Sequence, residues 1–145
     1  MRVSTKGRYA LRLMLDLVEH QGDGYVSLKD IAQRQEISKK YLEQIVPTLS
    51  RAGFLLTNRG YQGGYRLARC PNEYTVRDIL CLTEGSLAPV ACLDAGEAPC
   101  PRSAGCPTLP LWQGLDRVIR EYLAGVTLQD LLDRAHAYSG DDYVI

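Results

Sequence analysis

The stretch Ser38-Lys39-Lys40-Tyr41-Leu42-Glu43-Gln44-Ile45-Val46-Pro47-Thr48-Leu49-Ser50-Arg51-Ala52 decides the fold. Leu42, Ile45, Val46 and Leu49 recur at helical spacing, so a helix here buries one stripe and leaves Lys39, Lys40, Glu43, Gln44 and Thr48 on other faces. Ser38 can cap its first turn. Pro47 removes a backbone donor inside the pattern and is expected to bend the helix or weaken its second half. Upstream, Ser27 introduces a shorter helix with Ile31 and Ala32 on its buried side, and a break at Gln35, Glu36 and Ile37 separates the two. Two short helices about a tight turn, the second with a polar outer face, have the form of a helix-turn-helix.

Working outward, Ser4 or Thr5 can cap an earlier helix that carries Leu11, Leu13, Met14, Leu15, Leu17 and Val18 and stops in the stretch from Gln21 to Gly24. On the other side Gly53 ends the decisive helix. Phe54-Leu55-Leu56 and Tyr65-Arg66-Leu67-Ala68 read as short strands flanking the glycine-rich tip from Asn58 to Gly64. Three helices and then a hairpin is the order of a winged helix, a mainly α fold with one small β-hairpin. A further short helix at Thr75 to Leu82, with Val76, Ile79 and Leu80 inward, completes a DNA-reading domain over residues 1–84.

Glycine, proline and three cysteines dominate residues 85–110, which read as a sensor loop whose order depends on something other than a packed core. Residues 111–145 form the third region. Leu111, Leu115, Val118, Ile119 and Tyr122 make an apolar stripe on a long helix, with Trp112 beside it. Such a helix on a small domain buries its stripe most simply against its symmetry mate, so a homodimer is expected. Thr127 caps a last short helix through Leu128, Leu131 and Leu132, and Tyr138-Ser139-Gly140 is read as projecting a polar, acidic tail that ends in Tyr143-Val144-Ile145.

The formal charge of zero hides an asymmetry: residues 1–70 carry 12 Lys and Arg against 6 Asp and Glu, and residues 71–145 carry 5 against 11. A basic half facing DNA, joined to an acidic sensing or assembly half, produces such a split. No run approaches the length of a membrane span, and Met1 precedes a charged amphipathic segment, so no membrane partner and a cytoplasmic location are expected. No nucleophile-base constellation or phosphate-cradling loop argues for an enzyme.

The residue chemistry suits double-stranded DNA. Ser38, Lys39, Lys40 and Gln44 can offer polar groups to base edges or phosphates, and Glu43 can accept from a cytosine amino group. At the hairpin tip Arg59 stands among Gly60, Gln62 and Gly63, where a flexible backbone can approach a narrow groove. Lys6, Arg8 and Arg12 on the first helix could add phosphate contacts.

The opening Arg2-Val3-Ser4-Thr5-Lys6-Gly7-Arg8-Tyr9-Ala10, the run Tyr41-Leu42-Glu43-Gln44, the wing Arg59-Gly60-Tyr61-Gln62-Gly63-Gly64-Tyr65 and the segment Val126-Thr127-Leu128-Gln129-Asp130-Leu131 together resemble a known family. It is that of the bacterial winged-helix regulators of the IscR, NsrR and CymR type, responsive to iron-sulfur or cysteine status. The resemblance implies a DNA-binding homodimer, with Tyr41 to Gln44 in the major groove and the wing in the minor groove. It also implies that Cys92, Cys100 and Cys106 hold an iron-sulfur cluster of the 2Fe-2S type, which purified protein can lack, and that the targets are genes of cluster assembly or of sulfur and cysteine metabolism.

Thiolates suit iron-sulfur and zinc alike, and spacing does not choose between them. Cys92 and Cys100 are separated by seven residues and Cys100 and Cys106 by five, where the best-known members have equal gaps. Pro107 follows the last cysteine where the assembly regulator has a histidine nearby, and Arg8 stands where the nitric-oxide sensor uses an aspartate. The fourth ligand stays open among Glu43, His136, solvent and a small thiol. Cys70 and Cys81 read as core or strand-edge thiols. Two alternatives remain: a zinc-stabilised protein-interaction module, and a cluster-free repressor. The latter would use cysteine synthase as corepressor, docked on the carboxylate and apolar end of the tail, by resemblance to the cysteine-metabolism repressor.

Overall fold

The computed structural model describes residues 1–94 and 100–141. Three helices come first, α1 (Thr5–His20), α2 (Leu28–Gln35) and α3 (Lys39–Arg51). Each starts at a serine: Ser4, Ser27 and Ser38 accept through their side chains from the amides of Gly7, Asp30 and Tyr41 respectively. Glu36, in the left-handed region at φ 54°, ends α2 and makes the turn into α3. Pro47 lies within α3, which continues through it to Arg51. The helix tolerates the missing donor because Leu42, Ile45, Val46 and Leu49 stay buried on both sides of Pro47.

Strands β1 (Leu55–Asn58) and β2 (Gly64–Leu67) pair antiparallel, with Leu55 opposite Leu67 and Asn58 opposite Gly64. An isolated antiparallel bridge is added by Val26, which exchanges both backbone hydrogen bonds with Tyr65 at 2.8 Å. Gly64 sits so close to Val26 O that a side chain there has no room. The wing is thereby stitched to the start of α2. Tyr74, fully buried, donates through its hydroxyl to Phe54 O at 2.7 Å and accepts from the amides of Ala68 and Arg69, tying down the far end of the hairpin.

One core, built from Leu13, Leu17, Ile31, Leu42, Ile45 and Leu49 among others, joins α1, α2, α3 and the hairpin. Helix α4 (Val76–Glu84) packs on α1 and contributes to a second cluster of Val76, Leu80, Leu87 and Val126, into which Val3 also fits. Helix α5 (Leu109–Ala124) has no fully buried residue. Helix α6 (Leu128–Asp141) then returns to the reading head. Leu128 is fully buried in the main core, Leu128 N donates to Tyr74 O at 3.0 Å, and Val76 N donates to Val126 O at 2.8 Å.

The last helix runs through Tyr138, Ser139 and Gly140 to Asp141, which corrects the expectation that these residues project a tail from it. Ser139 Oγ donates to Ala135 O at 3.1 Å, so its hydroxyl bonds back along the helix instead of opening a turn. Tyr143, Val144 and Ile145, the proposed docking end, lie outside the described residues.

Candidate nucleic-acid interface and metal centre

The outer face of α3 presents Lys39, Lys40, Glu43 and Gln44, all exposed. Lys39 Nζ and Glu43 Oε1 approach to 3.8 Å with both side chains more than half exposed, a contact weak enough for either to leave it. Tyr41 differs from these four. Its ring is half-buried and meets the edge of Tyr9 at 5.3 Å between centroids, so it props α3 against α1. Ser38 is exposed, and its oxygen is occupied by the amide of Tyr41 at 3.1 Å.

Arg59, Gly60 and Gln62 are exposed at the wing tip, and Gly63 is half-buried beneath them. A hollow of about 330 Å³ lined by Val46, Pro47, Ser50, Thr57, Asn58 and Arg59 runs between the second half of α3 and the wing. The reading helix and the wing therefore flank one continuous surface. On α1, Arg8 is exposed, with Nη2 donating to Thr5 Oγ1 at 3.2 Å, and Lys6 is half-buried. Arg12, expected beside them at phosphates, is otherwise engaged: Nε donates to Gln35 Oε1 at 3.2 Å, Nη2 donates to Gln35 O at the end of α2, and the guanidinium lies over Tyr9. A carbonyl at a helix C-terminus attracts a cation, which accounts for the difference.

Beneath the reading surface lies a polar group that the sequence reading passed over. Asp16, its side chain fully buried, accepts from Arg34 Nη2 at 2.7 Å, Arg34 Nε at 3.0 Å and Gln35 Nε2 at 3.0 Å, with His20 Nδ1 3.6 Å away. The Asp16 hydrogen bond, opposed by desolvation, raises the already high pKa of Arg34. A signal was present: Asp16 falls between Leu13 and Leu17 on the apolar stripe of α1, where a carboxylate needs a partner.

Cys92, Cys100 and Cys106 line one small pocket of about 150 Å³, together with Leu93, Ser103, Leu109 and Gln113. Cys106 stands just before α5. The Thr108 side chain, its Oγ1 at 3.3 Å, holds the Cys106 thiol below the ordinary thiol value, with backbone hydrogen bonds from Thr108 and Leu109 assisting. A thiol whose ionisation is eased, beside two other cysteines in a partly apolar pocket, is a donor set that fits an iron-sulfur group. Among the described residues no three His, Cys, Asp or Glu side chains converge on a single metal-ion position. Neither Glu43 nor His136 lines the pocket; His136 Nε2 lies 3.9 Å from Glu19 Oε1 instead. Cys70 is exposed beyond β2, and Cys81 is half-buried against the second cluster.

Known proteins resemble this chain in sequence and in fold. CymR of Bacillus subtilis is 40% identical over 131 residues, covering 90% of this chain and 89% of that protein. Its solved structure, described as that of the global cysteine regulator, superposes with a TM-score of 0.75, covering 92% of this chain and 98% of that one. The structure of T. potens IscR gives 0.73 at 38% identity, covering 93% and 88%. IscR of Photobacterium profundum is 39% identical over 132 residues, covering 91% of this chain and 76% of that protein. These relatives are transcription regulators and not enzymes, and their fold is the winged helix found here. The Rrf2 family, described as iron-dependent transcriptional regulators, matches residues 3–134, and the chain belongs to that family.

Proposed function

We propose that this regulator works as a homodimer that reads DNA with α3 in the major groove and the wing in the minor groove, and that a 2Fe-2S cluster held by Cys92, Cys100 and Cys106 sets its affinity for operator DNA. The observation that carries the cluster reading is the gathering of all three cysteines around one pocket at the start of α5. The three thiols suit either group, and the resemblance to the cluster-binding regulators is what puts the cluster ahead of the zinc-stabilised module.

The same cysteines lie beside the helix proposed to form the dimer. Leu111, Val118 and Tyr122 on α5 are 61%, 58% and 62% exposed, Leu115 is exposed too, and Ile119 is half-buried among them. A change in the pocket thus falls next to the surface that would set the spacing of two reading heads. The bound cluster would supply an oxidisable, losable cross-link of the loop; the chain supplies the thiolates and the geometry. Genes of cluster assembly or of sulfur and cysteine metabolism are the proposed targets, the latter in line with the description of CymR as a global cysteine regulator.

The test is anaerobic purification with iron and sulfide counting and operator titration of loaded and stripped protein. Alanine at Cys92, Cys100 or Cys106 should remove most of the iron, and alanine at Cys70 or Cys81 should not. Full occupancy in the three loop variants would overturn the cluster reading. A second reading rests on the resemblance to the cysteine-metabolism repressor alone: cysteine synthase binds the C-terminal end as corepressor. Calorimetry with purified synthase, the intact chain and a chain lacking Val144 and Ile145 tests it, and equal heats for both would eliminate tail docking.

A further inference from the structure

The wing tip holds one aromatic ring away from the protein. Asn58 and Gly64 form the last cross-strand pair, and between them Gly63 N donates to Gly60 O at 2.9 Å, closing a tight turn. Gly60 has φ 113° and Gln62 φ 64°, and a β carbon at Gly63 would lie 2.5 Å from Asn58 O. The turn can be this compact only with glycine at those two glycine positions. Tyr61 at its corner is 98% exposed. Packed aromatic side chains bury roughly 150–250 Å², and Tyr61 buries almost none of that area within the chain. Tyr65 on β2 is by contrast half-buried, and Tyr25 has the Arg66 guanidinium 5.7 Å over its ring.

Tyr61 also forms a wall of an open polar hollow of about 510 Å³, shared with Tyr25, Ser27, Asp30, Asn58 and Gln62, between the wing and the start of α2. Asp30 in that hollow repels phosphate, so the part of a nucleic-acid strand that can pass Tyr61 is sugar and base edge. Arg59, two positions away, supplies the cation. We infer that Tyr61 is a specificity-determining residue of the wing, its ring against a deoxyribose wall and its hydroxyl donating to the acceptor of an A·T pair on the minor-groove floor. This rests on the reading of the wing as the minor-groove element. A·T pairs present only acceptors there, whereas G·C adds an amino group that projects into the space the ring would use. A phenol hydroxyl can donate to the former, and its ring is crowded by the latter.

The experiment is binding-site selection and salt-dependent affinity for the intact dimer, its Tyr61→Phe and Tyr61→Ala variants, and Arg59→Ala. Thermal melts confirm that each is folded. Tyr61→Phe should reduce discrimination between A·T and G·C under the wing by about three- to tenfold, the loss of one hydrogen bond. Tyr61→Ala should weaken binding further while leaving the slope of log affinity against log salt unchanged. Arg59→Ala should reduce that slope by about 0.9, the signature of one phosphate or groove cation. Selected sequences and affinities identical to the parent's in both Tyr61 variants, with Arg59→Ala still defective, would overturn the role of Tyr61 alone. Unchanged binding in all three variants would overturn the wing reading and this inference with it.

Discussion

The carboxylate of Asp16 and the guanidinium of Arg34 meet as a two-toothed pair, at 2.7 and 3.0 Å, across the contact between α1 and α2. Asp16 is fully buried and Arg34 is 34% exposed along its side chain. With Gln35 Nε2 on the same carboxylate and Arg12 donating to Gln35, the end of α2 is fixed on α1 immediately before the turn that aims α3. Helix α3 thus takes its direction from a charged contact beneath the surface proposed to face DNA.

Asp16→Asn should destabilise the fold by about 2–3 kcal/mol, less than the about 3–5 kcal/mol for breaking a fully buried pair because Arg34 can turn to solvent. Arg34→Ala should cost at least as much, since it leaves a fully buried carboxylate with Gln35 Nε2 as its remaining close donor and takes away its charged partner. Urea unfolding at fixed protomer concentration measures both. A cost below about 0.5 kcal/mol for either would show that the pair holds nothing in place.

Glu43→Ala should relax sequence preference more than it lowers affinity. Its contact to Lys39 is exposed and loose, so the carboxylate is available to accept from a cytosine amino group and to disfavour bases that offer it no donor, at an electrostatic cost near phosphate that is the same for every sequence. Selection from random sequence with both proteins is the measurement. An unchanged motif would assign Glu43 to the solvated face of α3.

What was legible in the sequence is what local chemistry dictates. Serines at 4, 27 and 38 before apolar stripes marked three helix starts, and the glycines around Arg59 marked the wing. The cysteine loop was legible as residue type, and the sharing of one pocket needed coordinates. The bridge between Val26 and Tyr65 was not legible, because one residue carries no periodicity and its partner lies far along the chain. The engagement of Arg12 was not legible for a related reason: an exposed cation on a helix looks the same whether or not it also meets the carbonyl end of α2. The continuation of α6 through Ser139 and Gly140 was missed because glycine and serine favour a stop locally and say nothing of the helix behind them.

Leu115→Asp with Ile119→Asp should leave the chain monomeric where the parent forms the proposed dimer. Both side chains lie on α5, which has no fully buried residue in the single chain, and carboxylates sealed into an apolar seam would lack partners. Sedimentation velocity across a concentration series reads the outcome. A dimer of parental stability would move the interface away from this stripe. Because α5 contributes nothing to the main core, helical content should be retained.

Gly7 and Glu84 form the last coupling, and here the sign of an effect is decided by a neighbour. Glu84 Oε1 accepts from Ser4 N at 3.0 Å and Ser4 Oγ at 2.7 Å, and it lies where a β carbon on Gly7 would be. The carboxylate sits at the start of α1, where the helix dipole favours it, and the same corner is held by the Met1 ammonium donating to Pro89 O at 3.2 Å. Alanine in place of a helical glycine ordinarily gains about 0.5–1 kcal/mol. In the parent chain Gly7→Ala must first displace the Glu84 side chain and forfeit its two hydrogen bonds to Ser4, so the net change should be zero or destabilising by up to about 1 kcal/mol. In a Glu84→Ala background nothing remains to displace except Leu80 Cδ2 at 3.1 Å, which has to yield by a few tenths of an ångström. There Gly7→Ala should stabilise, by about 0.5 kcal/mol. Unfolding of the four proteins of this double-mutant cycle, at one protomer concentration, gives the coupling directly. The same change in stability from Gly7→Ala in both backgrounds would mean that Glu84 does not hold this site.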